Sequence, residues 1–271
     1  MIRRLAGDRF ILIAQHDHAL LAGELASRYG NGRFARPDPW EATVAAAAHH
    51  DAGWPLHDAA PTLNAAGLPT DVFETPLRTA LRVWAEAAEL ASRHGDYAQL
   101  LVSLHVMGLS GYAATNPHTR EELFDLNCFQ QREIERQELL RRRLGLRTDL
   151  PLRLGLAVRR GDEAEEQLRR NHQVIQVVDR ISLALCCSQM PFDVIEDVIP
   201  RPGAGPLCIR FARSGEASVR VDPWPFDCPQ VHVSVPARSV PARPYESVAA
   251  LHEAYNAAGV QRLEMLVHPG Q

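Results

Sequence analysis

Four separated segments of this chain carry imidazoles and carboxylates in settings where chemistry is possible. The first is Gln15-His16-Asp17-His18, at the junction between a short apolar run and a helix. His18 falls on the same helical face as Leu21, Ala22 and Leu25. An imidazole heading such a face needs a partner, because burying it unpaired costs roughly 1–3 kcal/mol. Alone, it reads as a core histidine bonded to a backbone carbonyl. The second segment, His49-His50-Asp51 before Gly53-Trp54, closes a helix built largely of alanine. Neutral imidazole and ionised carboxylate are ligand types that first-row divalent metals accept. A solvated last turn, its histidines favoured by the helix dipole, explains the same pair, and both readings stay open there.

The third segment centres on Asp179, within Val174–Leu185. A carboxylate among such residues is expensive to bury as an ion unless a cation compensates it. Arg180 points about 100° away around the helix, so the compensating charge is either an arginine of another helix, such as Arg132 or Arg136, or a metal. The fourth is His105, one imidazole in the apolar stretch Leu100–Leu109. Each residue alone has an ordinary structural explanation. Together they suggest a common meeting point for His18, His50, Asp51 and Asp179 around one divalent cation.

These groups need elements to position them. Arg9–Ala14 is short, apolar and rich in aliphatic side chains, which predicts a strand. Helical spacing follows over 17–29, ended by Gly30-Asn31-Gly32. Asp38-Pro39-Trp40-Glu41 predicts a capped helix start, with Asp38 as cap, and the alanine-rich run ends near Gly53. Further helices are predicted over 77–94, 97–109 and 120–143, the last opened by a capping box from Thr119 to Glu122. Asp162-Glu163-Ala164-Glu165 opens another, which turns apolar from Val174 to Cys187. After Pro191 the chain becomes rich in Pro and Gly, with short strands predicted at 207–211, 217–221, 231–235 and 262–267 and one helix at 247–258. The expected architecture is mainly α: a helical bundle over 1–192 that holds the metal, with a small strand-rich α/β cap over 193–271.

Composition narrows the function classes. With 271 residues, 46% hydrophobic and 23% charged, the chain can bury a full core. Its formal net charge of -4 argues against nucleic-acid binding through phosphate neutralisation. It contains no lysine, so Schiff-base chemistry and a lysine general base are excluded. The five cysteines form neither a C-x-x-C pair nor a disulfide framework. No apolar stretch reaches membrane-spanning length. These features predict a cytoplasmic protein acting on a small molecule, with no membrane or nucleic-acid partner and with homo-oligomerisation left open.

The same residues carry a resemblance. The order His18, His50-Asp51, Asp179 is similar to the H…HD…D pattern of the HD-domain superfamily of metal-dependent phosphohydrolases. The stretches Gln15–Ala26, His50–Trp54 and Leu101–His105, with Pro223-Trp224-Pro225-Phe226, resemble an uncharacterised bacterial family known only as a domain of unknown function, over nearly the whole chain. The superfamily resemblance implies a helical bundle, a mononuclear ligand set of His18, His50, Asp51 and Asp179, and a place for His105 where two-metal members supply a further histidine. His16 competes with His18, which is preferred for its apolar helical face. Where many such enzymes carry a phosphate-holding lysine, this chain has Trp54, whose single indole donor cannot offset phosphate charge.

The leading expectation is a metal-dependent hydrolase, of a phosphoester first, using manganese, iron, zinc or magnesium. Asp51 or Asp179 doubles as ligand and proton acceptor, and His105 or His49 serves as general acid or stabilises developing charge. Trp54, Arg36, Arg132 and Arg136 are the candidate substrate contacts. Two alternatives stand beside it. One is a di-iron oxygenase on the same ligands, with His16 and His105 completing a second metal site. The other is a non-catalytic metal- or ligand-binding module.

Overall fold

The computed structural model describes residues 1–148, 162–188, 190 and 193–270. It begins with a hairpin: β1 (Ile2–Ala6) and β2 (Arg9–Ile13) pair antiparallel from Ile2↔Ile13 to Ala6↔Arg9. The turn between them uses Gly7 at φ +60°, a left-handed conformation that favours glycine. β2 then pairs with β6 (Val231–Pro241), Phe10 lying opposite Val240. With β3 (Val194–Val198), β4 (Leu207–Gly215), β5 (Ser218–Asp222) and β7 (Val260–Pro269), these strands form one seven-stranded sheet in the order β1-β2-β6-β7-β5-β4-β3. Every pairing is antiparallel except β5 with β7. The outer edge of β1 is capped by side chains, Arg3 N donating to Asp71 Oδ2 and Leu5 N to Ser188 Oγ.

This sheet corrects the expected architecture. Helix takes up about 49% of the described residues and strand 21%, so the fold is mixed α/β and not a helical bundle with a small cap. The boundary expected at residue 192 lies outside the described residues. The reason for the larger sheet is visible in burial. On β4, β5 and β6 the residues Ile209, Phe211, Val219, Val221, Val231, Val233 and Val235 are buried and alternate with more exposed neighbours. One continuous apolar face therefore needs a helical layer over it. β2 is buried on both faces. Ile11 and Ile13 face the helical layer, while Phe10 and Leu12 join Val240, Tyr245 and Leu251 in a smaller core beneath α8 (Val248–Ala257).

The helical layer comprises α1 (Gln15–Ser27), α2 (Trp40–His49), the short α3 (Pro55–Asp58), α4 (Leu77–Leu90), α5 (Asp96–Ala113), α6 (Arg120–Arg143) and α7 (Glu163–Cys186). α7 rests on β3, β4 and β5, and α1 on β6; α2 packs against both helices, and α5 against α2 and α7. Small residues let α1 and α2 approach closely: a Cβ on Gly23 would come within 2.4 Å of Ala48 Cβ. The capping box of α6 forms as expected, Glu122 N donating to Thr119 Oγ1 and Thr119 N to Glu122 Oε2. The cap expected at Asp38 does not form; Pro39 is the N-cap of α2, and the Asp38 carboxylate accepts from Gln167 Nε2 instead. Pro223-Trp224-Pro225-Phe226 is an anchor rather than a free surface. Phe226 is buried against Tyr29, and Gly30 N and Asn31 Nδ2 donate to carbonyls of this segment, tying the end of α1 to the sheet.

Candidate metal centre

The four predicted ligands converge inside the helical layer. His18 comes from α1, Asp179 from α7, and His50 and Asp51 from the turn that ends α2. His18 Nε2 lies 3.2 Å from Asp51 Oδ2 and 3.6 Å from Asp179 Oδ1. His50 Nε2 lies 3.6 Å and 3.4 Å from the same two oxygens. Their side chains are between 1% and 10% exposed, so water screens this arrangement poorly. Two imidazole nitrogens thus face two carboxylate oxygens in a closed quartet. His18, His50 and Asp179 have ligand atoms mutually within 4.8 Å; Asp51 joins through its contacts to both imidazoles.

The tautomers follow from the outer hydrogen bonds. His50 Nδ1 is 2.8 Å from the Ala47 carbonyl, which can only accept, so Nδ1 carries a hydrogen. Ser182 Oγ donates its one hydrogen to the Asp179 carbonyl at 2.9 Å, so it accepts from His18 Nδ1 at 2.6 Å. In both neutral rings the Nε2 lone pair therefore points at a carboxylate. Lone pairs and carboxylate oxygens repel unless a cation, either a proton or a metal ion, lies between them.

Distances bear on which cation fits. Charge-assisted N–H···O bonds run at about 2.7–2.9 Å, shorter than any of the four separations. Ligand bonds of about 2.0–2.1 Å in tetrahedral geometry place neighbouring donor atoms about 3.3 Å apart, within the observed 3.2–3.6 Å. The donor set and its orientation fit a first-row divalent ion on His18, His50 and Asp179, whose ligand atoms lie mutually within 4.8 Å; Asp51 flanks them through the two imidazoles and stands off a regular tetrahedron. With no metal present, a proton fills part of that role. Burial lowers the proton affinity of His50, but the Asp51 charge and the hydrogen bond and charge of Asp179 outweigh it and raise the pKa to about 9. Burial raises the Asp51 and Asp179 carboxyls, yet the facing imidazoles hold both below the ordinary range.

The surrounding residues hold this quartet in place. Trp54 Nε1 donates to Asp51 Oδ1 at 3.0 Å and Gln15 Nε2 to Asp51 Oδ2 at 3.3 Å. Gly53 allows the turn after Asp51 to press on α4, since a Cβ there would lie 2.0 Å from the Val83 carbonyl oxygen. Among the described residues, the ion-pair partners of Asp51 and Asp179 are histidines.

A family model described as Protein of unknown function (DUF3891) matches residues 1–242. The chain belongs to that family. The match spans all four ligand positions, Trp54, His105 and Ser182, and every strand except β7. No curated protein and no solved structure gives a significant match. Family membership therefore assigns no activity.

The structure redistributes several predicted roles. Trp54 is 1% exposed and its indole N–H is bound to Asp51, so it positions a ligand and does not wall a substrate pocket. Arg136 is held by Glu133 and Glu89, Arg132 is exposed on α6, and Arg36 stacks on Trp40 at the far end of α2. None of the three arginines reaches the centre: α6, which carries Arg132 and Arg136, packs on α4 and α5, and Arg36 precedes α2, at the end opposite His50. His105 does reach it, with Nε2 3.9 Å from Asp179 Oδ2. Burial and the nearby His50 lower its pKa to about 4, so it is neutral at pH 7 and is not an imidazolium acid. His49 and His16 lie in an outer ladder, His49 stacked on His94 at 4.3 Å and on His16 at 6.0 Å. Both imidazoles thus stand outside the quartet, beside His94. Sequence reasoning missed Ser182, whose hydroxyl fixes the His18 tautomer, and Gln15; position 182, three residues beyond Asp179 on the same helical face, was the available signal.

Proposed function

We propose that this protein is a metal-dependent hydrolase that holds one divalent transition metal with His18, His50, Asp51 and Asp179. The observation that carries the reading is the pair of locked imidazoles, both presenting Nε2 lone pairs to two buried carboxylates at 3.2–3.6 Å. The order of these ligands supports a distant kinship with HD-superfamily phosphohydrolases within the helical layer, and a small phosphoester is the first substrate class to test. A divalent cation in such a site supplies Lewis-acid chemistry, lowering the pKa of water from about 15.7 toward 7 and polarising a phosphoryl oxygen.

The chain's own residues divide the remaining work. Ser182 and the Ala47 carbonyl keep the two imidazoles in the donor tautomer. Trp54 and Gln15 orient the Asp51 carboxylate. His105, neutral at pH 7, takes up a proton at Nε2, the atom facing Asp179. Asp179 has the most exposed side chain of the four ligands, at 10%, and marks the side by which a small molecule approaches.

A second reading rests on a specific observation. The four ligand side chains are nearly closed off, and two cavities beside α7 lie at the opposite end of α2. Closed sites are the mark of structural metals. Turnover of a phosphoester panel by protein loaded with manganese, iron, zinc or magnesium separates the two. Hydrolysis lost in both His50→Ala and Asp179→Ala supports the hydrolase. Stoichiometric metal with no turnover on any substrate assigns the site to structure.

A further inference from the structure

Away from the metal centre, a cavity of about 220 Å³ opens between the start of α2, the first half of α7 and the loop after β3. Its walls are tied together. Ala35 N donates to the Pro200 carbonyl, Ile199 N to Gln173 Oε1, and Asn171 Nδ2 to the Asp38 carbonyl. Two guanidinium groups line it, Arg36 and Arg170, and so does the buried Tyr29. Arg170 Nη1 is buried without a hydrogen-bond partner, and its ion-pair contact is Glu166 Oε2 at a long 3.9 Å. Arg36 meets the Trp40 ring at 4.9 Å. Neither guanidinium, nor the Tyr29 hydroxyl, donates a hydrogen bond to any described residue.

An unpaired buried donor needs an explanation in a native fold. Here Arg170, Arg36 and Tyr29 line one space; the arginines are held only by the long Glu166 contact and the Trp40 ring, and both are planar forks suited to bidentate oxygen acceptors. The acidic residues of the wall leave them free: Asp38 Oδ2 accepts from Gln167 Nε2 at 3.0 Å, and Glu163 is exposed. We propose that this cavity binds a small oxyanion, a phosphate or a carboxylate, gripped by Arg170 and Arg36 with the Tyr29 hydroxyl as a further donor. Arg170 precedes Asp179 by nine positions on α7, about 13–14 Å along the axis. The site is therefore separate from the metal centre and independent of its function.

Titration calorimetry of the full chain with sodium phosphate, and separately with sodium succinate at matched ionic strength, tests this. One saturable site per chain is expected for at least one anion, and the arm that binds identifies the ligand as phosphate or carboxylate. Arg170→Gln and Arg36→Gln should each weaken binding by about tenfold to a hundredfold. The anion-free Arg170→Gln protein should melt close to wild type, because the contact it loses is a long ion pair to Glu166. Arg36 is exposed, so its variant keeps the test valid should Arg170→Gln fail to fold. No saturable binding of either anion, or binding unchanged in both arginine variants, would overturn the proposal. Binding abolished by Asp179→Asn and kept in both arginine variants would overturn it too, by moving the anion to the metal centre.

Discussion

Removing metal and raising the pH should unlock the quartet in a measurable way. In the metal-free protein, a proton shared between His50 Nε2 and the two carboxylates offsets their repulsion. Its folded-state pKa stands at about 9 against an ordinary 6.5, despite burial, because the Asp51 charge and the Asp179 bond outweigh desolvation. A group whose pKa is raised on folding contributes its stability in full below the unfolded value and loses it as pH climbs through the folded one. At about 1.4 kcal/mol per unit, the loss between pH 6.5 and about 9.5 amounts to about 3 kcal/mol. Urea denaturation in the presence of a chelator, at half-unit steps from pH 6 to 9.5, would read it as a falling midpoint. His50→Gln should remove most of that slope. With saturating zinc or manganese the trend should reverse, because the metal competes with the proton for the same nitrogen and binds more tightly as pH rises. Metal-free stability that is flat across this window, or a slope unchanged in His50→Gln, would refute the facing-lone-pair argument.

Other outcomes follow from the outer contacts. Ser182→Ala removes the acceptor for His18 Nδ1 and should weaken metal binding about 10- to 100-fold, read by competition with a chromophoric chelator, with little change in helix content. Trp54→Phe leaves Asp51 Oδ1 without its buried donor; it should lower stability by about 1–3 kcal/mol in urea titration and weaken metal binding as well. Gly53→Ala forces a Cβ against the Val83 carbonyl and should cost about 1–3 kcal/mol in thermal or urea unfolding.

Much of the local structure was legible in the sequence. The long helix over 120–143 carries both its capping box and its full span in residue types, and α6 runs Arg120–Arg143. Asp162 announces α7, and its side chain accepts from Glu165 N. The convergence of four residues was readable because a polar group on an apolar helical face must find a partner, and His18, His50, Asp51 and Asp179 find one another. The sheet was not readable, because strand order depends on long-range register. Nothing local to Ile2-Arg3-Arg4 indicates that β1 pairs with β2, or that Phe10 will meet Val240. β3 was missed because Val194–Val198 mixes acidic and aliphatic residues and pairs across a register shift. The arginine contacts failed because composition alone cannot say which face of a helix meets which neighbour; Arg136 was already committed to Glu133 and Glu89.

Elemental analysis of protein purified without chelators tests the central claim most directly, comparing wild type with His50→Ala and Asp179→Ala. The account predicts about one first-row divalent ion per chain in wild type and a loss of nearly all of it in each variant. Equal metal in all three proteins, or none in wild type after dialysis against manganese, iron or zinc, would contradict it.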